Sequence, residues 1–224
     1  TEPYGLTLSN HPRFDLEASH SSSRPALRRV NAPVEISHHF YQAMASSRIT
    51  DCVSELLGPN IKFHHSKINS KLPGGHTAVK WHQDFTFTPH TNDDVVTALL
   101  MICEVSEENG PLEVLPKSHL GPLYSLWHAG KFTGAVAEEV SVEAQKSAVL
   151  CLGSAGSVCF MHSRLLHASK ANSSARPRTL FICVFSSADA IPCSPNPMPN
   201  KYEGMMVRGV ATNIIRSIPY EIKL

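Results

Sequence analysis

Apolar and polar positions divide the chain into three textures. Residues 1–33 are polar, rich in Ser, Pro and Arg, and read as an extended surface segment. From Ser46 the spacing turns helical: Ile49, Cys52, Val53, Leu56 and Leu57 fall at i, i+3, i+4, i+7 and i+8, one face of a helix. Ser46 or Ser47 is the expected N-cap, and Gly58-Pro59 the stop. A shorter helix is expected just before it, around Ile36 to Met44.

After Pro59 the texture changes again. Short apolar runs alternate with turn signals: IKFHHSKIN, TAVKWHQDFTF, VVTALLMICEV, PLEVLP, SAVLCL, GSVCFM and TLFICVF. Asn109-Gly110, between two such runs, predicts a hairpin, because both residues tolerate positive φ. The small polar stretch from Lys170 to Pro177 reads as the loop of another. Seven or eight short strands after one or two helices predict a mainly β fold with flanking helices. A double-sheet jelly roll is the preferred form, since its mouth admits ligands from several strands.

No linker divides the 224 residues, so a single domain spanning 1–224 is expected. The chain begins without Met, and upstream residues are expected to be missing from it. The formal charge is +1 with no basic run, which disfavours nucleic acid as a partner. No 18-residue apolar stretch predicts a membrane helix, and no signal peptide is seen. Cys52, Cys103, Cys151, Cys159, Cys183 and Cys193 lack C-x-x-C pairing and mostly sit in apolar runs, as expected for buried thiols in a reducing cytoplasm. The pattern sets no oligomeric state.

Thirteen histidines are more than twice ordinary usage by a rough estimate. In WHQDFTF, His82 and Asp84 stand two apart on an expected strand, where alternation turns both to one face. An imidazole beside a carboxylate is a way to hold a divalent metal. Alone the motif is weak, with roughly 0.35 chance matches expected from this composition. A third ligand is available in HSRLLHASKANSSARPR, as either His162 or His167. Arg178 opens the next strand, and its planar fork suits a carboxylate through two parallel hydrogen bonds. Two His and one carboxylate leave metal positions open, the arrangement of Fe(II) oxygenases. A 2-oxo acid would then chelate the metal and need an arginine for its far carboxylate.

W-H-x-D at 81–84, E-N-G-P-L-x-V-L-P-x-S-H at 108–119 and H-x-S-x-x-N-x-S-x-x-x-R at 167–178 together resemble the phytanoyl-CoA dioxygenase (PhyH-like) family. They span about a hundred residues in the family's order, a far more specific signal than His-x-Asp. The resemblance implies a double-stranded β-helix (cupin-like jelly roll). It also implies Fe(II), 2-oxoglutarate and O2 as cofactor and co-substrates, and hydroxylation of a small organic substrate with release of succinate and CO2. By the family's eleven-residue spacing to Arg178, it selects His167 as the distal ligand. Ser169 is implied to join Arg178 on the 2-oxoglutarate carboxylate.

HHSKINSKLPGG at 64–75 is similar to a stretch of the ectoine hydroxylase branch. That likeness places Asn69 on 2-oxoglutarate, His65 toward the substrate and Thr97 near the co-substrate; Asn69 as a strand-end turn residue is the plainer reading. Thr88 and His65 replace the branch's aromatic and glutamine, so ectoine itself is not the expected substrate. Asp84 is present where the halogenating relatives carry Ala or Gly, which favours hydroxylation. Pro116-Lys117-Ser118-His119 replaces the family's P-G-S-H and is expected to alter only a loop.

Trp81 and Phe85 read as core, with Phe85 also a candidate substrate contact. His119 reads as a loop anchor. The Pro-rich loop 191–209 is a stiff surface excursion or a lid carrying Tyr202 or Arg208 to the substrate. Two alternatives to the dioxygenase remain at this point. One is a non-catalytic metal-binding jelly-roll sensor. The other, a zinc-dependent cupin-like hydrolase or isomerase, leaves Arg178 without a task.

Overall fold

The computed structural model describes residues 13–224. In chain order it runs β1 (Phe14–Leu16), β2 (Leu27–Asn31), α1 (His38–Ala45), α2 (Arg48–Leu57), β3 (Ile61–Lys71), β4 (Val79–His82), α3 (Asp84–Phe87), β5 (Val95–Met101) and β6 (Leu112–Val114). Next come β7 (Leu123–Tyr124), β8 (Trp127–His128), β9 (Lys131–Phe132), α4 (Glu138–Lys146), β10 (Val149–Cys151), β11 (Val158–His162), β12 (His167–Ser169), β13 (Arg178–Ser187), β14 (Met206–Arg208) and β15 (Ile222–Lys223). A seven-stranded sheet has the order β1-β2-β3-β13-β5-β11, with β14 also on β3. A four-stranded sheet, β10-β6-β12-β4, completes an antiparallel jelly roll.

Alternation assigns the faces. On β13, Phe181, Cys183 and Phe185 pack with Val53, Met44 and Phe63 under α1 and α2. Leu180 and Ile182 turn the other way and meet Leu99, Met101 and Met161. On the smaller sheet, Trp81 and Ala168 face outward into a cluster with Ala144 of α4. Their neighbours His82, His167 and Ser169 therefore point into the space between the sheets.

A bulge on β3 matters more than its length. The register of β13 against β3 slips between Val184, opposite His65, and Phe185, opposite Phe63. One extra residue reverses the parity of everything after it. Ile61 and Phe63 thus pack under the helices, while Lys67, Asn69 and Lys71 line the inter-sheet cavity and His65 joins them at its far end.

Several sequence expectations need correction. The stretch read as an extended surface segment pairs into the large sheet from residue 14 onward, with Arg29 opposite Asn69; residues 1–12 lie outside the described residues. Asn109-Gly110 does not close a hairpin, because β5 and β6 belong to different sheets. Gly110 is needed for positive φ (78°) and for close approach: a Cβ there would lie 2.6 Å from the Lys170 carbonyl. The 170–177 loop likewise crosses between sheets, from β12 to β13. Helix α2 is capped by Ser47, whose hydroxyl accepts from Ile49 N. Ile49 and Val53 bury as expected, but Leu56 is exposed. Among the described residues, no helix is long and apolar enough to cross a membrane.

Candidate metal centre

His82 and His167 are cross-strand partners on β4 and β12. Their rings lie 4.1 Å apart, centroid to centroid. Asp84 is not on the strand. β4 ends at His82, and Asp84 opens the single turn α3, which Thr88 N closes by donating to the Asp84 carbonyl at 3.1 Å. Gln83 holds this turn in place, its side chain bonding Pro122 O, Arg164 O and Tyr124 N. The chain leaves the strand between the two ligands, yet their side chains still converge. Asp84 Oδ1 lies 3.5 Å from His82 Nε2 and 3.6 Å from His167 Nε2.

The tautomers follow from the acceptors. His82 Nδ1–H donates to Lys80 O at 2.7 Å, and His167 Nδ1–H donates to Leu165 O at 2.9 Å. A carbonyl can only accept, so both Nδ1 atoms carry protons and both Nε2 atoms face the carboxylate. Thr97 Oγ1 donates to Asp84 Oδ2 at 3.2 Å, leaving Oδ1 for the centre. Burial alone would raise the Asp84 carboxyl, but His167, His82 and Lys67 hold it well below the ordinary carboxylate range. Burial pulls His167 down to about 4, so it is neutral at neutral pH. One ligand atom from each residue lies within 4.8 Å of the others, the only such group among the described residues. Two imidazoles and an ionised carboxylate, each oriented by an outer hydrogen bond, fit a divalent first-row metal.

A cavity of about 390 Å³ opens from the triad toward Arg178 and Ser169. Arg178 Nε and Nη2 donate to Gly110 O at 3.0 and 2.9 Å. One edge of the guanidinium is therefore anchored to backbone, which turns the Nη1/Nη2 edge, the fork expected to take a carboxylate, away from Gly110. Burial brings Arg178 down to about 10, still protonated at neutral pH. Ser169 Oγ accepts from Lys71 Nζ at 2.7 Å, which leaves its own proton to donate. Lys71 also donates to Ser169 O at 3.2 Å and to Lys170 O. Burial, then Arg178, pull Lys71 down to about 7.

A second chamber of about 330 Å³ shares the triad wall and extends past His65, Thr88, Phe87, Pro197 and Met198. Asn69 lines both spaces and accepts from Arg29 Nε at 3.1 Å. Thr97 lines both as well, but its hydroxyl is committed to Asp84. His65 faces the second chamber, and its Nδ1 shares a proton with His64 Nδ1 across 2.7 Å. His162 stays on β11 in the other sheet, where its Nδ1 accepts from Arg164 N. His119 packs beside it, ring centroids 5.4 Å apart.

Two candidates leave the site. Phe85 is 1% exposed and sits edge-on to Tyr220, in the core rather than on either cavity. Arg208 is on the helix side, bound to Asp51 Oδ1 at 2.9 and 2.8 Å and to Ala45 O and Ser47 O, because β14 pairs with the helix-covered end of β3. Tyr202 stacks with Tyr41 at 4.9 Å instead of reaching the cavity. Pro197 and Met198 are what the Pro-rich loop delivers to the chamber. Lys67 and Lys71 were missed from sequence, although alternation from Asn69 points to both. Arg29 was hidden in a segment read as surface.

The sequence profile of the phytanoyl-CoA dioxygenase (PhyH) family matches residues 15–180. A probable alpha-ketoglutarate-dependent hypophosphite dioxygenase of Stutzerimonas stutzeri is 34% identical over 96% of this chain and 79% of its own. L-proline trans-4-hydroxylase of Streptomyces griseoviridis is 26% identical, over 85% of this chain and 77% of its own. In fold, the crystal structure of EctD from S. alaskensis with bound Fe is similar at a TM-score of 0.67 and 20% identity, covering 99% of this chain and 74% of that one. The family match spans most of the described residues, includes both ends of the metal centre, and shows that the chain belongs to the phytanoyl-CoA dioxygenase family.

Proposed function

We propose that this chain is an Fe(II)- and 2-oxoglutarate-dependent dioxygenase that hydroxylates a small substrate. The observation that carries this reading is the convergence of two Nε2 atoms and one carboxylate oxygen on the wall of a cavity that ends in Arg178. His82, Asp84 and His167 would hold Fe(II). Bound there with 2-oxoglutarate and O2, the metal supplies oxidising chemistry in which a substrate C–H bond becomes C–OH while the 2-oxo acid leaves as succinate and CO2.

The chain's own share is binding and orientation. Lys80 O and Leu165 O fix the imidazoles, and Thr97 fixes the carboxylate. Arg178, Ser169 and Lys71 form a cationic end for the distal carboxylate of 2-oxoglutarate, with Asn69 on the wall between. Val79, Ile182, Val184, Phe87 and Met198 give the substrate chamber an apolar wall, which helps keep water from the reacting bond. Relatives named for hypophosphite and for L-proline support a small polar substrate rather than a large thioester. A single domain over 1–224 accords with both sheets sharing this one site. Six free cysteines support a reducing, cytoplasmic setting.

The test is spectroscopic. Fe(II) and then 2-oxoglutarate are added to metal-free protein without oxygen, and the weak visible charge-transfer band of chelated 2-oxoglutarate is sought. The band is expected in the wild type and absent in His167→Ala. Bound metal without a band would remove 2-oxoglutarate from the reading and leave a metal-binding jelly-roll protein.

A further inference from the structure

The bulge in β3 turns Lys67 into the wall shared by both cavities, between His65 and Asn69. Among the described residues, the Lys67 ammonium makes no hydrogen bond or ion pair, although every other cation on the second chamber's wall is held. Arg29, the other cation there, donates from Nε to Asn69 and pairs through Nη1 with Asp15 at 3.2 Å, which leaves Nη2 uncommitted. Asp84 is the one carboxylate on this wall, and both its oxygens are engaged: Oδ1 faces the two histidines and Oδ2 accepts from Thr97.

A half-buried ammonium whose neighbouring acid, Asp84, is already committed to the histidines and Thr97 is expected to meet an anion when the site fills. The far end of the 2-oxoglutarate cavity already has Arg178, Lys71 and Ser169 for the distal carboxylate. Of the other cations on the co-substrate cavity, Arg28 and Lys80 line it alone, whereas Lys67 and Arg29 also open on the chamber that presents Phe87, Val184, Pro197 and Met198. Positive charge on one side and apolar surface on the other describe a small acid.

Resting on the dioxygenase reading above, we infer that Lys67 and Arg29 form an oxyanion subsite for the substrate, which is a small carboxylic or phosphorus acid held by its charged end while its body lies against Met198 and Phe87. The first contact is a charge-assisted bond from Lys67. Arg29, carried in by β2, adds a second.

Binding of probe anions to the anaerobic Fe(II)–2-oxoglutarate protein tests this, read by calorimetry and by the shift of the charge-transfer band. Hypophosphite is one probe; butyrate against uncharged butyramide is the matched pair, with chloride as the salt control. The acids are expected to bind and the amide not to. Lys67→Met is expected to weaken the acids about tenfold or more, and Arg29→Gln to weaken them less. Lys67→Arg should restore most of the loss, and 2-oxoglutarate affinity should change less than about twofold in all three variants. No preference for acid over amide overturns the proposal, as does a Lys67→Met defect that falls on 2-oxoglutarate instead. If the wild type gives no band, the dioxygenase reading fails by itself. The same calorimetric titration of metal-free wild type and Lys67→Met then decides the anion subsite alone.

Discussion

Lys71 Nζ donates to Ser169 Oγ at 2.7 Å, directly beside the arginine that ends the co-substrate cavity. This contact changes how the distal carboxylate of 2-oxoglutarate is held. Arg178 spends its Nε/Nη2 edge on Gly110 O, which leaves Nη1 and the second Nη2 proton for a carboxylate. On the proposed placement of 2-oxoglutarate, Ser169, oriented by Lys71, would add a further donor and the ammonium would add charge. Lys71→Met should therefore weaken 2-oxoglutarate by about tenfold or more, measured by anaerobic titration of the charge-transfer band.

The same lysine sets a pH dependence. Burial brings Lys71 down to about 7, so the free protein loses this proton as pH rises through neutrality. A bound dianion favours the charged form. 2-Oxoglutarate affinity should fall above pH 7, and binding at pH 8 should take up a proton. Calorimetry at pH 8 in two buffers of different ionisation heat measures the uptake directly; equal apparent heats would contradict it. In Lys71→Met the uptake should vanish.

Thr97 reaches the metal centre indirectly. Its hydroxyl donates to Asp84 Oδ2, which turns Oδ1 toward the histidines. Thr97→Val keeps the shape on β5 and removes the donor. Partners of this kind are worth about 10- to 100-fold in metal affinity. Fe(II) or Ni(II) affinity should drop by about that range, while 2-oxoglutarate affinity of the fully loaded protein changes little. An unaltered metal affinity would mean that α3 alone orients Asp84.

Arg208 separates the two ends of the molecule. It caps carbonyls at the ends of α1 and α2 and pairs with Asp51, far from both cavities. Arg208→Ala should cost about 1–2 kcal/mol in urea unfolding. Activity per folded molecule should be unchanged. A rise in KM would put the Pro-rich loop back over the site in a way the contacts do not indicate.

The residues of the candidate centre were legible because their chemistry and order are local in sequence. His82, Asp84, His167 and Arg178 each sit in a short motif, and the α2 stripe begins at a serine that does cap it. What could not be read depends on pairing between distant strands. The slip at His64 decides that Ile61 and Phe63 face the helices while His65 and the alternate residues after it face inward, and nothing in HHSKINSK marks one residue as extra. β1 and β2 are short and polar, so their pairing comes from the open edge of β3, not from periodicity. Asn109-Gly110 has hairpin chemistry, but its glycine is required by the nearby Lys170 carbonyl and by Lys71. Phe85 follows Asp84 by one residue, so the turn of α3 aims it away from the metal and into the core.

Behind the substrate wall lies a group of buried histidines. His64 stacks edge-on to His90 at 5.0 Å, and His64 Nδ1 meets His65 Nδ1 at 2.7 Å. The Nε2 atoms of His64 and His90 have no hydrogen-bond partner. Burial, with the nearby Lys62 charge, brings His64 down to about 4. Burial also brings His90 to about 4, against the opposing pull of its bond to Thr88 O and of Glu203. Both are neutral in the fold, whereas in the unfolded chain they titrate near 6.5. Between these values the unfolded state binds more protons, so stability is full above about pH 6.5 and is lost as pH falls toward 4. Two such groups give a slope of up to ~2.7 kcal/mol per pH unit near pH 5. His90→Asn keeps a donor toward Thr88 O and deletes one titration, so its stability should fall by up to ~1.4 kcal/mol less per pH unit over this range. Urea unfolding of both proteins at pH 7, 6 and 5 measures the difference, and parallel curves would show that His90 does not enter the fold as the neutral base. His64 O also accepts from the side-chain amides of Asn196 and Asn200. Acid loss of this cluster should therefore release the segment that carries Pro197 and Met198, with proteolytic nicking there preceding global unfolding.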